Sequence, residues 1–489
     1  MTLETVIGLE VHVQLETASK MFCGCAVEFG AAPNSRTCPV CLGLPGSLPV
    51  LNRRAVELGL RTAVVLGCRV HSESEFHRKN YYYPDLPKNY QISQYQYAGH
   101  PPLATGGRFL LEDGDAPHTV GIRRVHLEED TGKLLHAEGR SLVDYNRSGT
   151  PLMEVVTEPD LRSPEEARLF LAQLRAVLQY AGVTTGRMEE GTLRCDANLS
   201  LRAPGGPHGT RTEVKNMNSL RSVERALRFE EARQREQLAR GEAVVQETRH
   251  WDEQRGVTFS SREKEEAQDY RYFPEPDLVP LVVDDAWVAQ IRTGLPELPD
   301  AKRRRYAEAF ALPEHEARLL TATRPMAEFF EATVRGFDQP KIVANWLVGD
   351  VAAYLNTAGQ EIEEARITPA ALAEMLGLLD RGTLSGRLAK EVLEEMLRTG
   401  RTAAEIVKDR GLAQISDEAA LTEMVDGVIA EHPGPVGDVR AGKDRAVAFL
   451  VGQVMKRSRG RANPEVVNRL LRERLGAPVQ VQIDPKDPR

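Results

Sequence analysis

Four of the six cysteines, Cys23, Cys25, Cys38 and Cys41, fall in one short segment, CGC…CPVC. Paired CxC and CxxC elements separated by a short loop have the spacing of a tetrahedral thiolate zinc site in a reducing compartment. Pro39 and Gly43 suit the tight turn of a zinc knuckle. Two disulfides or four idle thiols are the alternatives. Four thiolates leave no open coordination position, so the expected metal is structural. Cys68 and Cys195 stand among apolar neighbours and are expected in the core.

A second set of residues suits acid and metal chemistry. In GLEVHVQL (8–15), read as a strand, Leu9, Val11, Val13 and Leu15 face one way and Glu10, His12 and Gln14 the other. RVHLEEDTGK (124–133) sets His126 and Glu128 against Val125 and Leu127, then adds Glu129, Asp130 and Lys133. RSGTPLMEVVTEPD (147–160) brings Glu154 and Glu158. LRCDANLSLR (193–202) puts Arg194, Asp196, Asn198 and Ser200 on one face. TEVKNMNS (212–219) puts Glu213 and Lys215 on one face and Asn216 and Asn218 on the other.

Any one such strand reads as an ordinary solvated face. Several in one sheet would bring carboxylates together, and two unit charges about 4 Å apart repel by about 4 kcal/mol at an effective dielectric of about 20. Magnesium removes that cost, because it takes oxygen ligands and brings nucleotide phosphates with it. Lys133, Arg194 and Lys215 then suit phosphate oxygens and the charge developing in phosphoryl transfer. The stretch HRKNYYYPDLPKNYQISQYQY (77–97) interleaves Arg78, Lys79 and Lys88 with Tyr81, Tyr82, Tyr83, Tyr90 and Tyr95, and its prolines exclude a helix. That mixture suits a single-stranded nucleic-acid end better than a buried loop.

The elements carrying these residues belong to a chain of 489 residues, long enough for two to four domains. Hydrophobic residues make up 41% and charged residues 27%, the balance of an ordinary globular protein. No apolar run reaches the about 18 residues that cross a bilayer, and MTLETVIGLE lacks a basic leader, so a cytoplasmic protein without membrane contact is expected. Short alternating segments with a few helices predict an α+β region over 1–293 containing an antiparallel sheet. Its helices are predicted from Ser163 to about Tyr180, with Pro164 at the first helical position, and from about Ser219 to Arg240. TGLPELPDAKRRR (293–305) reads as a linker with a helix opening at Asp300. A helical domain over 294–410 and a small helical tail over 411–489 complete the expected division.

The net charge of −8 excludes a general nucleic-acid coat, yet ten Lys and Arg against three acids between Arg440 and Arg474 leave a local +7. Such a tail could follow an RNA backbone or be a solvated helical face. GDVRAGKD (437–444) imitates a P-loop, but Asp444 stands where Ser or Thr must meet magnesium and EHPGPV precedes it in place of a strand. There is no GxGxxG after a strand, no GxSxG and no amidase-type Gly/Ser loop. A ligase for a free small molecule and a non-catalytic RNA scaffold remain as rival readings.

The segments GLEVHVQL, CPVCLGLPGSLPVLN, RKNYYYPDLPKNYQISQ, HLEEDTGKLLH, DYNRSGTPLMEVVTEPD, MEEGTLRCDANLSLR, TEVKNMNSLRSV, DYRYFPEPDL and FLVGQVMK…GRANP together resemble the B-subunit family of tRNA-dependent amidotransferases (GatB) along the whole chain. Departures from the pattern are His77 where an acid is frequent, Asn89 where glycine is usual, and the absence of a methionine in SSREKEEAQDYRYF.

The resemblance implies a glutamine-synthetase-like cradle, a helical domain and a YqeY-like tail that touches tRNA. It implies a carbon–nitrogen ligase with glutamine as amido-nitrogen donor, using ATP and Mg2+ on Glu-tRNA(Gln), Asp-tRNA(Asn) or both. Ammonia would come from a partner amidase, with a small third protein making up a heterotrimer, and a non-discriminating aminoacyl-tRNA synthetase is a further candidate partner. Carried over, Glu10, His12, Glu128 and Glu154 would hold magnesium and ATP, with Glu213, Asp196, Arg194 and Lys215 beside them. Lys79, Tyr83, Lys88 and Tyr90 would face the tRNA acceptor end, Lys456, Arg457 and Arg459 its body, and the four clustered cysteines would hold zinc.

Overall fold

A computed structural model describes residues 3–95, 100–112, 117–137, 139–263, 270–412, 418–441, 443, 445–458 and 461–476. The chain divides into two compact units, Met1–Ala301 and Lys302–Arg489.

Unit 1 is built on β1 (Glu4–Gln14), α1 (Arg53–Val65), β2 (Arg69–Val70), β3 (Glu73–Ser74), β4 (His77–Asn80), β5 (Tyr90–Ser93), β6 (Ala104–Leu111) and β7 (His118–Glu129). There follow β8 (Lys133–Ala137), β9 (Arg140–Asp144), β10 (Pro151–Thr157), α2 (Pro164–Tyr180), β11 (Leu193–Arg202), β12 (Thr212–Lys215) and α3 (Leu220–Ala239). β13 (Glu247–Asp252), β14 (Val257–Glu263), β15 (Phe273–Pro274), β16 (Leu281–Val282) and α4 (Asp285–Thr293) complete it. Twelve strands form one sheet in the order β14-β13-β12-β11-β1-β10-β7-β5-β4-β15, with β6 also beside β7 and β2 beside β6.

The alternation read in β1 is realised: Leu9, Val11, Val13 and Leu15 are at most 1% exposed, on the face covered by helices. Phe170 and Leu174 of α2, Val223 and Leu227 of α3 and Leu58 of α1 fill that layer. Gly59 lets α1 close in, since a Cβ there would lie 2.8 Å from Leu103 and 2.9 Å from Leu127. Ser163 caps α2 by accepting from the Glu166 N–H, and Ser219 caps α3 by accepting from the Ser222 N–H, at the predicted starts.

Two expectations need correction. The sheet is not wholly antiparallel, because β12 and β13 run parallel, Glu213 opposite Thr248, joined by the α3 crossover. Asn216 and Asn218 do not form a strand face. The strand stops at Lys215, and Asn216 takes a φ of 67° with its amide donating to the Trp251 carbonyl. Asparagine tolerates that left-handed conformation, and it ends the pairing. Asn89 likewise has a φ of 61°.

The described elements that lie wholly in unit 2 are helical, and α5 (Pro299–Phe310) opens one residue before Asp300 and spans the division between the units. One hydrophobic cluster runs from Tyr306 to Val407 and a second from Leu421 to Leu475. Gly411, in the left-handed conformation at φ 59°, closes the helix Ala403–Arg410. Pro433–Arg440 is a helix, so the P-loop imitation has no strand–loop start, and its Gly442 and Asp444 lie outside the described residues. Among the described residues no helix is long and apolar enough to cross a membrane.

Candidate active site

Sheet register does what spacing alone could not. Across β11, β1, β10 and β7 one row reads Arg194, His12, Glu154, His126, and the next reads Asp196, Glu10, Val156, Arg124. Glu128 follows two positions after His126, opposite Ser93 of β5. The polar faces of four strands thus share one surface, the floor of a cavity of about 750 Å3. Nine expected residues line it: Glu10, His12, Lys79, Glu128, Glu154, Arg194, Asp196, Glu213 and Lys215.

At its centre His12 Nε2 lies 3.6 Å from Glu128 and 3.8 Å from Glu154. One ligand atom from each of these three residues falls within 4.8 Å of the other two, a grouping that could hold a metal ion. Both carboxylates are buried. Burial works to raise the Glu154 pKa, but His126 at 3.1 Å, His12 and Arg124 hold it well below the usual carboxylate value. It is ionised and ready to meet a cation.

The remaining acids are paired on the flanks. Lys215 Nζ is 2.5 Å from Asp196 and 3.6 Å from Glu213, while Asn198 donates to Glu10 at 3.0 Å. Burial opposes the Lys215 charge, yet Asp196, Glu213 and Glu10 raise its pKa, so it stays an ammonium. Arg194 donates to Asp130 at 2.8 Å; against the effect of burial, Arg194 and Arg147 lower the Asp130 pKa. On another wall Lys79 Nζ lies 4.9 Å from the Tyr270 ring and 5.8 Å from that of Tyr81. Tyr95 stacks on Tyr272 at 3.9 Å, and burial pushes the Tyr272 hydroxyl up to about 12. Cations beside buried carboxylates, under an aromatic wall, make a pocket suited to polyanionic ligands.

Other expected residues lie elsewhere. Tyr83 is exposed on the turn after β4, and Lys133 is exposed on the β8–β9 hairpin. Lys88 turns away from the cleft to pair with Glu129, in a separate cavity of about 180 Å3 beside Cys41, passing Gly43, where a Cβ would strike it. Tyr90 lines that second cavity, with the Arg78 guanidinium 4.3 Å from its ring centre. Lys456 and Arg457 are exposed on the helix Arg445–Arg457, and Arg457 pairs with Glu431 at 2.8 Å. Arg459 lies outside the described residues.

The expected site omitted His126, Tyr270, Tyr272 and Arg211, all of which line the cleft. Alternation with Glu128 already put His126 on the polar face. Alternation within DYRYF pairs the two tyrosines, but nothing local says that this segment, far along the chain, closes the wall. Arg211 sits just before β12 and carries no signal.

Cys23, Cys25, Cys38 and Cys41 are free thiols whose sulphurs all lie within 4.8 Å of one another. Tetrahedral Zn–S bonds of about 2.3 Å put sulphurs about 3.8 Å apart; Cys38 and Cys41 stand at 3.9 Å. A hydrogen bond from Cys23, against burial and with help from the Cys38 backbone and Lys20, lowers the Cys41 pKa to about 4. Burial and the Cys38 thiol push Cys25 up to about 11. One thiolate thus raises the cost of ionising its neighbours, a conflict that a divalent cation removes.

A family profile described as the GatB/GatE catalytic domain matches residues 5–289, and one described as the GatB domain matches residues 328–475. The chain is 53% identical over 478 residues to the B subunit of the aspartyl/glutamyl-tRNA(Asn/Gln) amidotransferase of Carboxydothermus hydrogenoformans, covering 96% of this chain and 98% of that protein. It is 55% identical over 480 residues to the protein of the same name from Moorella thermoacetica, covering 97% of this chain and 100% of that protein. The chain belongs to the family of B subunits of aspartyl/glutamyl-tRNA amidotransferases.

Proposed function

We propose that the cleft of unit 1 phosphorylates the side-chain carboxylate of a glutamyl or aspartyl group carried on tRNA, using ATP, and then amidates it. The observation that carries this reading is the His12–Glu128–Glu154 group, two buried carboxylates and a half-buried imidazole lining a cavity of about 750 Å3 beside Lys79, Arg194 and Lys215. His12, Glu128 and Glu154 would hold Mg2+, with Glu10 beside them. When bound, the ion would neutralise phosphate charge during transfer.

Arg194 and Lys215 would hold phosphate oxygens as the substrate carboxylate oxygen attacks the γ-phosphorus of ATP and ADP leaves. Ammonia then attacks the acyl carbon, the C–O bond breaks, and phosphate leaves with the proton that the nitrogen sheds in becoming an amide. Asp196 and Glu213 would keep Lys215 aimed, and the tyrosine wall would exclude water from an acyl phosphate that water destroys. Lys79 would meet the acceptor end, with Tyr83, Lys88 and Tyr90 beyond the cleft wall.

In the same reading residues 1–293 form a glutamine-synthetase-like catalytic cradle whose four cysteines hold zinc. Residues 294–410 form a helical domain, and residues 411–489 a YqeY-like tail that follows the tRNA body through Lys456, Arg457 and Arg459. Ammonia comes from a partner amidase held in place by a small third protein of the heterotrimer, in the cytoplasm. Relatives named as B subunits support the existence of partner subunits and of a tRNA substrate. The test is ADP release by the reconstituted complex given Glu-tRNA(Gln) or Asp-tRNA(Asn) in turn. Release should require the charged tRNA and vanish in Glu10→Gln, while tRNA binding stays within about threefold. Release indifferent to both would remove the cleft from the chemistry.

A further inference from the structure

Among the described residues of unit 1, Lys20 is the lysine or arginine that is fully buried, with 0% of its surface exposed, and the cleft does not use it. It sits in the loop after β1, and its backbone N–H donates to the Cys25 carbonyl at 2.9 Å, closing the first turn of the cysteine knuckle. Its Nζ lies 3.6 Å from Cys41 Sγ and 3.2 Å from the Tyr145 carbonyl oxygen. Among the described residues it has no carboxylate partner, so the anionic group it meets is sulphur. Gly149, held at a φ of 82°, borders both side chains, its Cβ position lying at ordinary contact distance from Lys20 Cδ and Cys41 Cβ.

A lysine fully removed from water is among the costliest groups to bury unless a negative charge compensates it. Four thiolates around a divalent cation carry a net charge of −2, and an ammonium beside one sulphur halves it. We infer that Lys20 is the positioning residue of the cysteine metal centre, its ammonium balancing the thiolate charge and tying the knuckle to the loop around Tyr145. This rests on the metal reading of the four cysteines given above. The loop it grips leads to the cleft, because the Gly149 N–H donates to the Asp130 carbonyl at 2.9 Å and the Asp130 N–H to the Thr150 carbonyl at 2.8 Å. Asp130 is the partner of Arg194. Lys20 therefore joins the metal centre to a wall of the active site through one side chain and one loop.

The test is zinc affinity of the full chain, measured by competition with a chromophoric chelator under reducing conditions, for wild type, Lys20→Met and Lys20→Gln. Methionine fills the same space without charge. Glutamine also lacks the charge but can still donate to the Tyr145 carbonyl, so it separates charge from hydrogen bonding and serves if the methionine variant folds poorly. Groups that orient metal ligands from behind typically contribute 10–100-fold to affinity. Both variants are expected to bind zinc about 10–100-fold more weakly, with altered thiolate-to-cobalt charge-transfer bands when Co2+ replaces zinc. Wild-type affinity in the glutamine variant would overturn the inference, leaving Lys20 as a plain hydrogen-bond donor. Failure of the wild type itself to bind zinc would instead overturn the metal reading.

Discussion

Replacing Glu154 with glutamine keeps the shape of the side chain and removes its charge from the middle of the sheet. Arg124 lies 3.6 Å from one carboxylate oxygen and His126 3.1 Å from the other. Two unit charges 3.6 Å apart attract by about 4–5 kcal/mol at an effective dielectric of about 20. Desolvation of the buried carboxylate offsets several kcal/mol of that. Since glutamine keeps weaker neutral hydrogen bonds, the net loss is expected to be about 2 kcal/mol.

Against the effect of burial, His126, His12 and Arg124 depress the Glu154 pKa, so its contribution is fully present above the unfolded value of 4.5 and is lost as pH falls through the lower folded value. Hydrogen exchange of peptides spanning Pro151–Thr157, in magnesium-free buffer, reads this locally and does not require the two units to unfold together. At pH 7 the variant should exchange about 30-fold faster than wild type, which is about 2 kcal/mol. The ratio should hold down to about pH 5 and shrink below 4.5. Equal protection at pH 7, or a difference that persists undiminished at pH 3, would refute the electrostatic account.

Three further outcomes follow from other contacts. Gly59→Ala gains about 1 kcal/mol of helix propensity but drives a methyl into Leu103 and Leu127, an overpacking cost of about 1–3 kcal/mol, so local exchange of β7 should rise or stay level, never fall. Cys38→Ser should leave the chain without stoichiometric zinc by elemental analysis and expose residues 20–50 to limited proteolysis; retained zinc with unchanged cleavage would show that the metal does not brace the knuckle. Deleting residues 411–489 should weaken tRNA binding at least about tenfold at physiological salt and flatten its salt dependence, while leaving the cleft intact; unchanged affinity would make the basic tail a solvated face.

Much of the site was legible because a strand's two-residue period is strict. Once Leu9 and Val11 are assigned to the core, Glu10 and His12 have nowhere else to point, and the same holds for Arg194 and Asp196 around Cys195. Helix starts were equally legible at Ser163 and Ser219, where a hydroxyl completes the first turn. What local spacing cannot encode is which strand lies next to which. His12 stands between Glu154 and Arg194 only through pairings with strands far along the chain, and Tyr270 and Tyr272 join the wall from further still. Lys88 shows a different limit: its direction depends on the absence of a side chain at Gly43 and on the anion at Glu129, neither of which alternation reveals.

The central position of β1 also sets a timetable for the newborn chain. Its two partners, β10 and β11, follow it by about 150 and 190 residues, so both of its edges stay open while everything between is being translated. At about 5–20 residues per second that interval is on the order of 10–40 s. Throughout it, Leu9, Val11, Val13 and Leu15 form a bare apolar face between two unpaired backbone edges of the kind that recruit stray strands. Translation speed up to about residue 202, and whatever shields nascent chains on the ribosome, therefore bear directly on the yield of active protein.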